Sequence, residues 1–199
     1  MKKVVVDIGA NVGQGFNKLK KKYPLDNYDY ILIEPNPYCV QKLKENINSE
    51  LDKVQILEKA IWTENTKIGF YGHESNWHIT DSKTLNSSQG NSIIPEHNNL
   101  FYSSSNNIEV ETLDILDLIN NLKNDYSSII LKIDAESAEY SILERLIENY
   151  DNVGSFIEKI YVEFHSRFYQ EEQRTTYESM EKLFIDFFNN KNTEFFTDW

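Results

Sequence analysis

Cysteine is almost absent from this chain. Cys39 stands alone among 199 residues, so no intramolecular disulfide can form and a scaffold of small bridged loops is excluded. Long apolar runs are lacking as well. No stretch approaches the roughly 18 residues of a membrane helix. The apolar run after Met1-Lys2-Lys3 stops at Asp7, too early for the core of a signal peptide. A reducing compartment fits both absences, so the expected location is the cytoplasm, without membrane contact. Positive charge is scarce: 20 Lys and Arg face 32 Asp and Glu, a formal net charge of -12. Non-specific nucleic-acid binding needs a cationic surface that displaces counterions, so nucleic acid is not an expected partner. A cationic ligand is compatible with the charge. There is no Gly-Lys-Ser or Gly-Lys-Thr triplet, hence no P-loop, and no Gly-x-Gly-x-x-Gly dinucleotide fingerprint. His73, His78 and His97 stand at spacings that match no zinc site. Without an internal repeat or a linker, residues 1–199 read as one domain.

What is present is ordinary for a soluble globule, 40% hydrophobic and 26% charged, with a ring-rich 13% of aromatics. Val4-Val5-Val6-Asp7 runs into a glycine-containing turn, after which Val12, Phe16 and Leu19 recur at helical spacing. This is a buried strand, a tight turn and an amphipathic helix. Tyr28 to Ile33 forms a second strand ending at Glu34, and Asn36-Pro37 opens a helix as N-cap and first residue. Val54 to Ala60 reads as a third strand and Lys67 to Tyr71 as a short extra one. From His73 to Asn107 the chain is rich in Asn and Ser with little periodicity. So long a run is expected to be a mobile lid, and Trp62, Trp77, His78, Phe101 and Tyr102, within or beside it, could stack on a substrate ring. Ile108 to Leu113 resumes a strand, Leu113 to Leu122 a helix, and Ser128 to Ile133 a central parallel strand. A helix is expected from near Ser137, a strand over Phe156 to Phe164, a helix carrying Tyr177, Met180, Phe184 and Phe187, and a closing strand within Thr193 to Trp199. Strands alternating with helices make an α/β fold with a doubly wound, mostly parallel sheet.

In such sheets ligands bind at the carboxyl ends of the strands, and acids gather there. Glu34 closes the second strand, where a carboxylate can accept from two adjacent hydroxyls. Asp134, Glu136 and Glu139 lie between the central strand and the next helix. Capping of the helix dipole explains Glu139 but not Asp134 and Glu136 together. Glu163 and His165 end the strand after that.

Asp7-x-Gly9-x-x-x-Gly13 after a first strand resembles the nucleotide turn of class I methyltransferases that use S-adenosylmethionine. Four stretches in order resemble the FkbM-type family of these enzymes: Val6-Asp7-Ile8-Gly9-Ala10-Asn11-Val12-Gly13, Ile33-Glu34-Pro35-Asn36-Pro37, Leu131-Lys132-Ile133-Asp134-Ala135-Glu136-Ser137-Ala138-Glu139 and Val162-Glu163-Phe164-His165. The third is the most family-specific. Lys-Ile-Asp-x-Glu-Gly-Ala-Glu is usual there, and Ser137 stands in place of the glycine. The resemblance implies a seven-stranded doubly wound sheet, S-adenosylmethionine as cofactor, and methyl transfer to oxygen on a sugar, glycan or other small hydroxylated metabolite. It implies that Gly9, Ala10, Asn11 and Gly13 pass close to the methionine part, with Asp7 placing its amino group. Glu34, beside Pro35 and Asn36, would take the ribose hydroxyls, and Ala60 and Ile61 would pack the adenine.

On the acceptor side the resemblance implies Glu136 and Glu139 as substrate-binding groups and His165, Asp134 and Glu163 as candidate catalysts. Two mechanisms fit these residues. In the preferred one no metal is used and His165, mostly neutral at pH 7 at its ordinary pKa of about 6.5, or one carboxylate takes the acceptor's proton. In the other, a divalent ion on Asp134, Glu136 and Glu163 lowers the hydroxyl's pKa. Two different functions stay open beside methyl transfer. One is a metal-dependent transferase for a nucleotide-sugar, with Asp134-Ala135-Glu136 as its acid-x-acid motif. The other is a methyltransferase-like protein that binds without chemistry.

Overall fold

Val4, Val5 and Val6 are fully buried, as β-branched residues are in a strand covered on both faces. They belong to β1 (Lys3–Ile8), which pairs in parallel with β2 (Tyr28–Ile33) on one side and β7 (Ile129–Ile133) on the other. The computed structural model describes residues 1–72, 90–95, 97 and 107–198. Among these, a six-stranded sheet runs β3-β2-β1-β7-β8-β9, with β3 at Val54–Leu57, β8 at Ile157–Val162 and β9 at Glu194–Phe196. All its pairings are parallel.

Successive residues of β1 point to opposite faces. Val5 joins Tyr30, Leu32 and Ile130 in a core with Phe16 and Leu19 of α1 (Gln14–Lys22) and Leu43 of α2 (Pro37–Asn46). Val4 and Val6 join the opposite core, with Ile115 and Ile119 of α3 (Ile115–Leu122), Ile142 and Leu146 of α4 (Glu139–Glu148), and Phe184 and Phe188 of α5 (Glu171–Asn189). Helices therefore cover both faces, as doubly wound topology requires. The chain builds β1, β2 and β3 outward, then returns to lay β7, β8 and β9 on the other side of β1. The order reverses between β1 and β7, and in open parallel sheets a crevice opens at such a point.

The sheet has six strands rather than seven among the described residues. The expected third strand, Val54 to Ala60, divides. Its second part, β4 (Ala60–Trp62), pairs with β6 (Asn107–Asp114) in a separate three-stranded sheet, where β5 (Lys67–Tyr71) lies antiparallel to β6. The polar pair Glu58-Lys59 falls between the two strands and lets the chain change sheets. Helix α4 begins at Glu139, later than its hydrophobic spacing suggested, because Glu136 and Ser137 take φ of 48° and 80°, outside the helical region. The N-caps follow the expected chemistry: Asn36 Oδ1 accepts from the Tyr38 amide at 3.0 Å, and Asp114 Oδ1 from the Leu116 amide at 2.8 Å. No described helix is long and apolar enough to cross a membrane.

Candidate functional site

The turn after β1 is bound to its neighbours by backbone. The amides of Gly9 and Ala10 both donate to the Ile33 carbonyl at 3.0 Å, which ties the turn to the end of β2. Gly9 has φ +76°, and a Cβ there would lie 1.8 Å from the Asp134 carbonyl oxygen. Only glycine allows β1 and β7 to come this close. Asn11, at φ 48°, presents its amide to Glu34 Oε2 at 2.9 Å, and the Asn36 amide donates to Glu34 Oε1 at 2.9 Å. Two backbone donors thus fix the Glu34 carboxylate, and each oxygen keeps a lone pair for a ligand. Burial pushes the Glu34 pKa up to about 7, against the pull of the Asn36 and Asn11 amides.

These residues line a cavity of about 430 Å³ at the carboxyl ends of β1, β2 and β7, within the roughly 300–1,000 Å³ of small-molecule sites. Of the residues expected from sequence, Gly9, Ala10, Asn11, Glu34, Pro35, Ala60, Ile61, Asp134, Glu136, Glu163 and His165 are on its wall. Four are not. Gly13, at φ +98°, packs toward Leu43. Asn36 is buried as the cap of α2. Glu139 is fully buried behind His165. Asp7 is fully buried and faces Lys132, whose Nζ lies 2.9 Å from its Oδ1.

Lys132 escaped the sequence reading as a site residue. Its Nζ also lies 3.2 Å from Asp134 Oδ2 and donates to the carbonyls of Gly9 at 2.9 Å and Ile8 at 3.3 Å. Burial alone would lower its pKa. The carboxylates of Asp134 and Asp7 outweigh burial and hold the ammonium charged above its ordinary range. One buried cation therefore joins the ends of β1 and β7 and sets the position of Asp134. The available signal was a lysine inside the otherwise apolar Ile129–Ile133, because a fully buried lysine must be paired.

At the ends of β7 and β8, acids surround an imidazole. His165 Nδ1 lies 3.0 Å from Glu139 Oε1, which also accepts from the His165 amide at 3.1 Å. The opposite nitrogen, Nε2, faces Glu136 Oε2 at 3.4 Å, Asp134 Oδ1 at 3.6 Å and Glu163 Oε1 at 3.9 Å. Burial lowers the His165 pKa, but the charges of Glu139, Glu136 and Asp134 outweigh it and raise the pKa to about 9. The surrounding carboxylates therefore favour a protonated imidazole, where the ordinary pKa alone suggests a neutral ring. Glu163 is additionally held by Arg167 at 2.9 Å, and the guanidinium lies over the Phe168 ring. Both Arg167 and Phe168 reach the cavity wall.

The described part of the polar segment is pinned to this group rather than free-standing. Tyr71 and Ser92 exchange backbone hydrogen bonds of 2.7 and 3.0 Å. The Gly90 amide donates to Glu136 Oε1 at 3.0 Å, and Ser92 Oγ donates to the Glu136 carbonyl. His97 is fully buried, with Nε2 3.2 Å from Glu136 Oε2 and Nδ1 2.6 Å from Ser137 Oγ. A lone histidine in a polar stretch gave no signal of this. The rest of the expected lid, including Trp77, His78, Phe101 and Tyr102, lies outside the described residues. Ser137 holds a left-handed conformation at φ 80°, which costs about 1–2 kcal/mol for a residue with a Cβ. Ser137→Gly removes that strain while losing the bond to His97, whereas Ser137→Ala loses the bond and keeps the strain. The Gly protein is expected to melt above the Ala protein; the reverse order in thermal unfolding would show that the strain is not there.

Residues 7–194 match the Methyltransferase FkbM domain. No curated protein matches the chain. A crystal structure of methyltransferase FkbM from Methylobacillus flagellatus KT is similar at 14% identity and a TM-score of 0.45, over 76% of this chain and 31% of that one. The chain thus spans about a third of the length of that protein. With the family match covering nearly all of the sequence, the chain belongs to the FkbM methyltransferase domain family.

Proposed function

We propose that the chain transfers a methyl group from S-adenosylmethionine to a hydroxyl oxygen of a small acceptor, a sugar or glycan or another hydroxylated metabolite. One observation carries this: a single cavity joins a buried carboxylate at the end of β2 to an acid–imidazole group at the ends of β7 and β8. Glu34 takes the ribose hydroxyls, the Gly9–Asn11 backbone passes along the methionine part, and Ala60 and Ile61 pack the adenine. Asp7 acts on the donor through Lys132, which keeps the turn in place. On the acceptor side, Asp134, Glu136 and Glu163 hold the hydroxylated molecule. The hydroxyl oxygen attacks the methyl carbon in line, the carbon–sulfur bond breaks, and the hydroxyl proton passes to a carboxylate. Alignment of oxygen, carbon and sulfur supplies most of the rate. A negative wall suits the positively charged sulfonium, and a single, buried cysteine, Cys39, fits a reducing, cytoplasmic setting. Calorimetry should show binding of S-adenosylmethionine and its demethylated product, and the product should raise the melting temperature. Binding of NAD or a sugar nucleotide in their place would overturn the reading.

Glu34 gives two sharper expectations. Glu34→Ala removes charge-assisted hydrogen bonds worth about 1.5–3 kcal/mol, so donor affinity should fall roughly tenfold to a hundredfold. An unchanged dissociation constant would place the ribose elsewhere. The second concerns pH. In the free protein Glu34 titrates at about 7. Bound hydroxyl donors and a nearby sulfonium favour the carboxylate, so binding below that pH releases a proton. Affinity therefore rises as pH rises and levels off above the free-state pKa. Donor should bind about tenfold more tightly at pH 8 than at pH 6, and Glu34→Gln should flatten the profile.

A further inference from the structure

We propose that Asp134, Glu136 and His165 bind a divalent metal ion at the cavity wall, with Glu139 as the positioning residue behind the imidazole. Each of the three offers one ligand atom, and the three atoms all lie within 4.8 Å of one another. The spacings are those of ligands around an ion rather than of hydrogen bonds. His165 Nε2 stands 3.4 Å from Glu136 Oε2 and 3.6 Å from Asp134 Oδ1, whereas a charge-assisted N–H···O contact closes to about 2.7–2.9 Å. Atoms bound at roughly 2.0–2.2 Å to one ion are separated by roughly 3–3.6 Å in tetrahedral or cis-octahedral arrangement, and the two gaps from His165 Nε2 match.

The second observation is the imidazole itself. Its side chain is 2% exposed, and Nε2 is aimed into the group at ion-pair distances from Glu136, Asp134 and Glu163, where the buried Glu136 Oε2 has no hydrogen-bond partner among the described residues. Glu139 Oε1 meets Nδ1 at 3.0 Å from a fully buried position. A carboxylate on the far ring nitrogen is the usual support of a metal-bound histidine, because it fixes the tautomer and raises the basicity of the ligating nitrogen. Glu136 is supported too, by the Gly90 amide on Oε1 and by His97 beside Oε2. Charge agrees. Asp134 has Lys132 and Glu163 has Arg167, but Glu136 and Glu139 meet no lysine or arginine among the described residues, so an ion replaces the positive charge they lose when Nε2 gives up its proton.

Two carboxylate oxygens and one imidazole, whose Nε2 releases its proton to solvent as the ion binds, suit Mn²⁺ or Zn²⁺ better than Ca²⁺. Asp134 and Glu136 are partly exposed on the cavity side, so the remaining coordination positions face the cavity. There the ion lowers the pKa of a bound hydroxyl. That role rests on the methyltransferase reading; the ion site does not. It also departs from the metal-free route that sequence spacing favoured, since the nitrogen completing the set comes from the end of β8.

The test is titration of the EDTA-stripped, desalted protein with MnCl₂, following free Mn²⁺ by its electron paramagnetic resonance, with ZnCl₂ as competitor. Wild type should bind about one ion per chain, and Asp134→Asn and His165→Ala should each weaken binding by roughly tenfold or more. Glu139→Gln should weaken it less than His165→Ala, within the roughly tenfold to hundredfold range of supporting residues. Melting curves at each substitution check that the protein stays folded, and Glu136→Gln replaces any variant that does not. No saturable binding of either metal by wild type, or binding unchanged in the folded variants, overturns the site. Ion binding without any binding of S-adenosylmethionine would keep the site and overturn the methyl-transfer reading instead.

Discussion

The Lys132→Met protein is expected to be less stable than wild type by about 3–5 kcal/mol, the range for removing one partner of a buried ion pair. Methionine fills much the same volume, so packing is kept and charge alone is lost. What is left behind is costly. Asp7 is fully buried, and without Nζ at 2.9 Å its carboxylate has no counter-charge in contact among the described residues. The carbonyls of Ile8 and Gly9 lose a donor as well. The deficit should depend on pH with a defined sign. An Asp7 without its lysine has a folded pKa well above its unfolded value of about 3.9. Its stabilising protonated form is then present at low pH and lost as pH rises; burial already raises the Asp7 pKa in wild type and loss of Lys132 raises it further, so the gap should widen with rising pH from the wild-type Asp7 pKa, above the ordinary carboxylate range, toward neutrality. Asp7→Asn added to Lys132→Met should recover much of the loss, because the charge to be buried is gone. Urea unfolding of the four proteins, as a double-mutant cycle at two pH values, decides it. A single mutant within about 1 kcal/mol of wild type would mean that Lys132 is not what neutralises Asp7.

The fold was legible where one physical rule governed the sequence. Val4-Val5-Val6 and Ile129-Ile130-Leu131 are apolar without alternation because both sheet faces are covered, and such runs announce a parallel interior. The break at Glu58-Lys59 was less legible. Two short apolar pieces with two polar residues between them can be one strand or two, and long-range pairing with β6 decided for two. The start of α4 was displaced for a different reason. Ala138, Ile142 and Leu146 keep helical spacing, but the left-handed Glu136 and Ser137 hold back the first turn.

In the site, residues at the strand ends were legible and the contacts among them were not. Gly9, Glu34, Asp134 and Glu136 sit at strand ends that the hydrophobic pattern marks, and all four reach one cavity. The roles of Asp7 and Glu139 needed the third dimension: one faces Lys132 across β1 and β7, the other meets His165 across α4 and β8. The raised pKa of His165 was also out of reach, since it comes from carboxylates of the turn after β7 and of α4 that meet an imidazole from beyond β8. His97, 40 residues from Ser137 in the chain, meets it at 2.6 Å, and no periodicity encodes that contact.

Gly9→Ala is expected to destabilise the protein by about 3 kcal/mol or more and to abolish donor binding in whatever folds. Two effects add. The left-handed φ of +76° costs a residue with a Cβ about 1–2 kcal/mol. The larger effect is collision. The new Cβ would lie 1.8 Å from the Asp134 carbonyl oxygen and 2.9 Å from its carbon, both backbone atoms that cannot swing aside. Asp134 is anchored in turn, its amide donating to the Ile8 carbonyl at 3.1 Å and its carboxylate facing Lys132. Relief therefore requires the ends of β1 and β7 to part where the sheet order reverses, which breaks that hydrogen bond and moves both walls of the cavity. Gly13→Ala is the control. Its φ of +98° carries similar strain, but the nearest atom is the Leu43 Cδ1 methyl at 3.1 Å, on a side chain that can shift. The Gly13 substitution should cost about 1–2 kcal/mol and leave donor affinity nearly intact. Denaturant unfolding and calorimetry on both proteins give the comparison. Equal losses, or a Gly9→Ala protein that binds donor as wild type does, would show that the two strand ends are not held in the contact described.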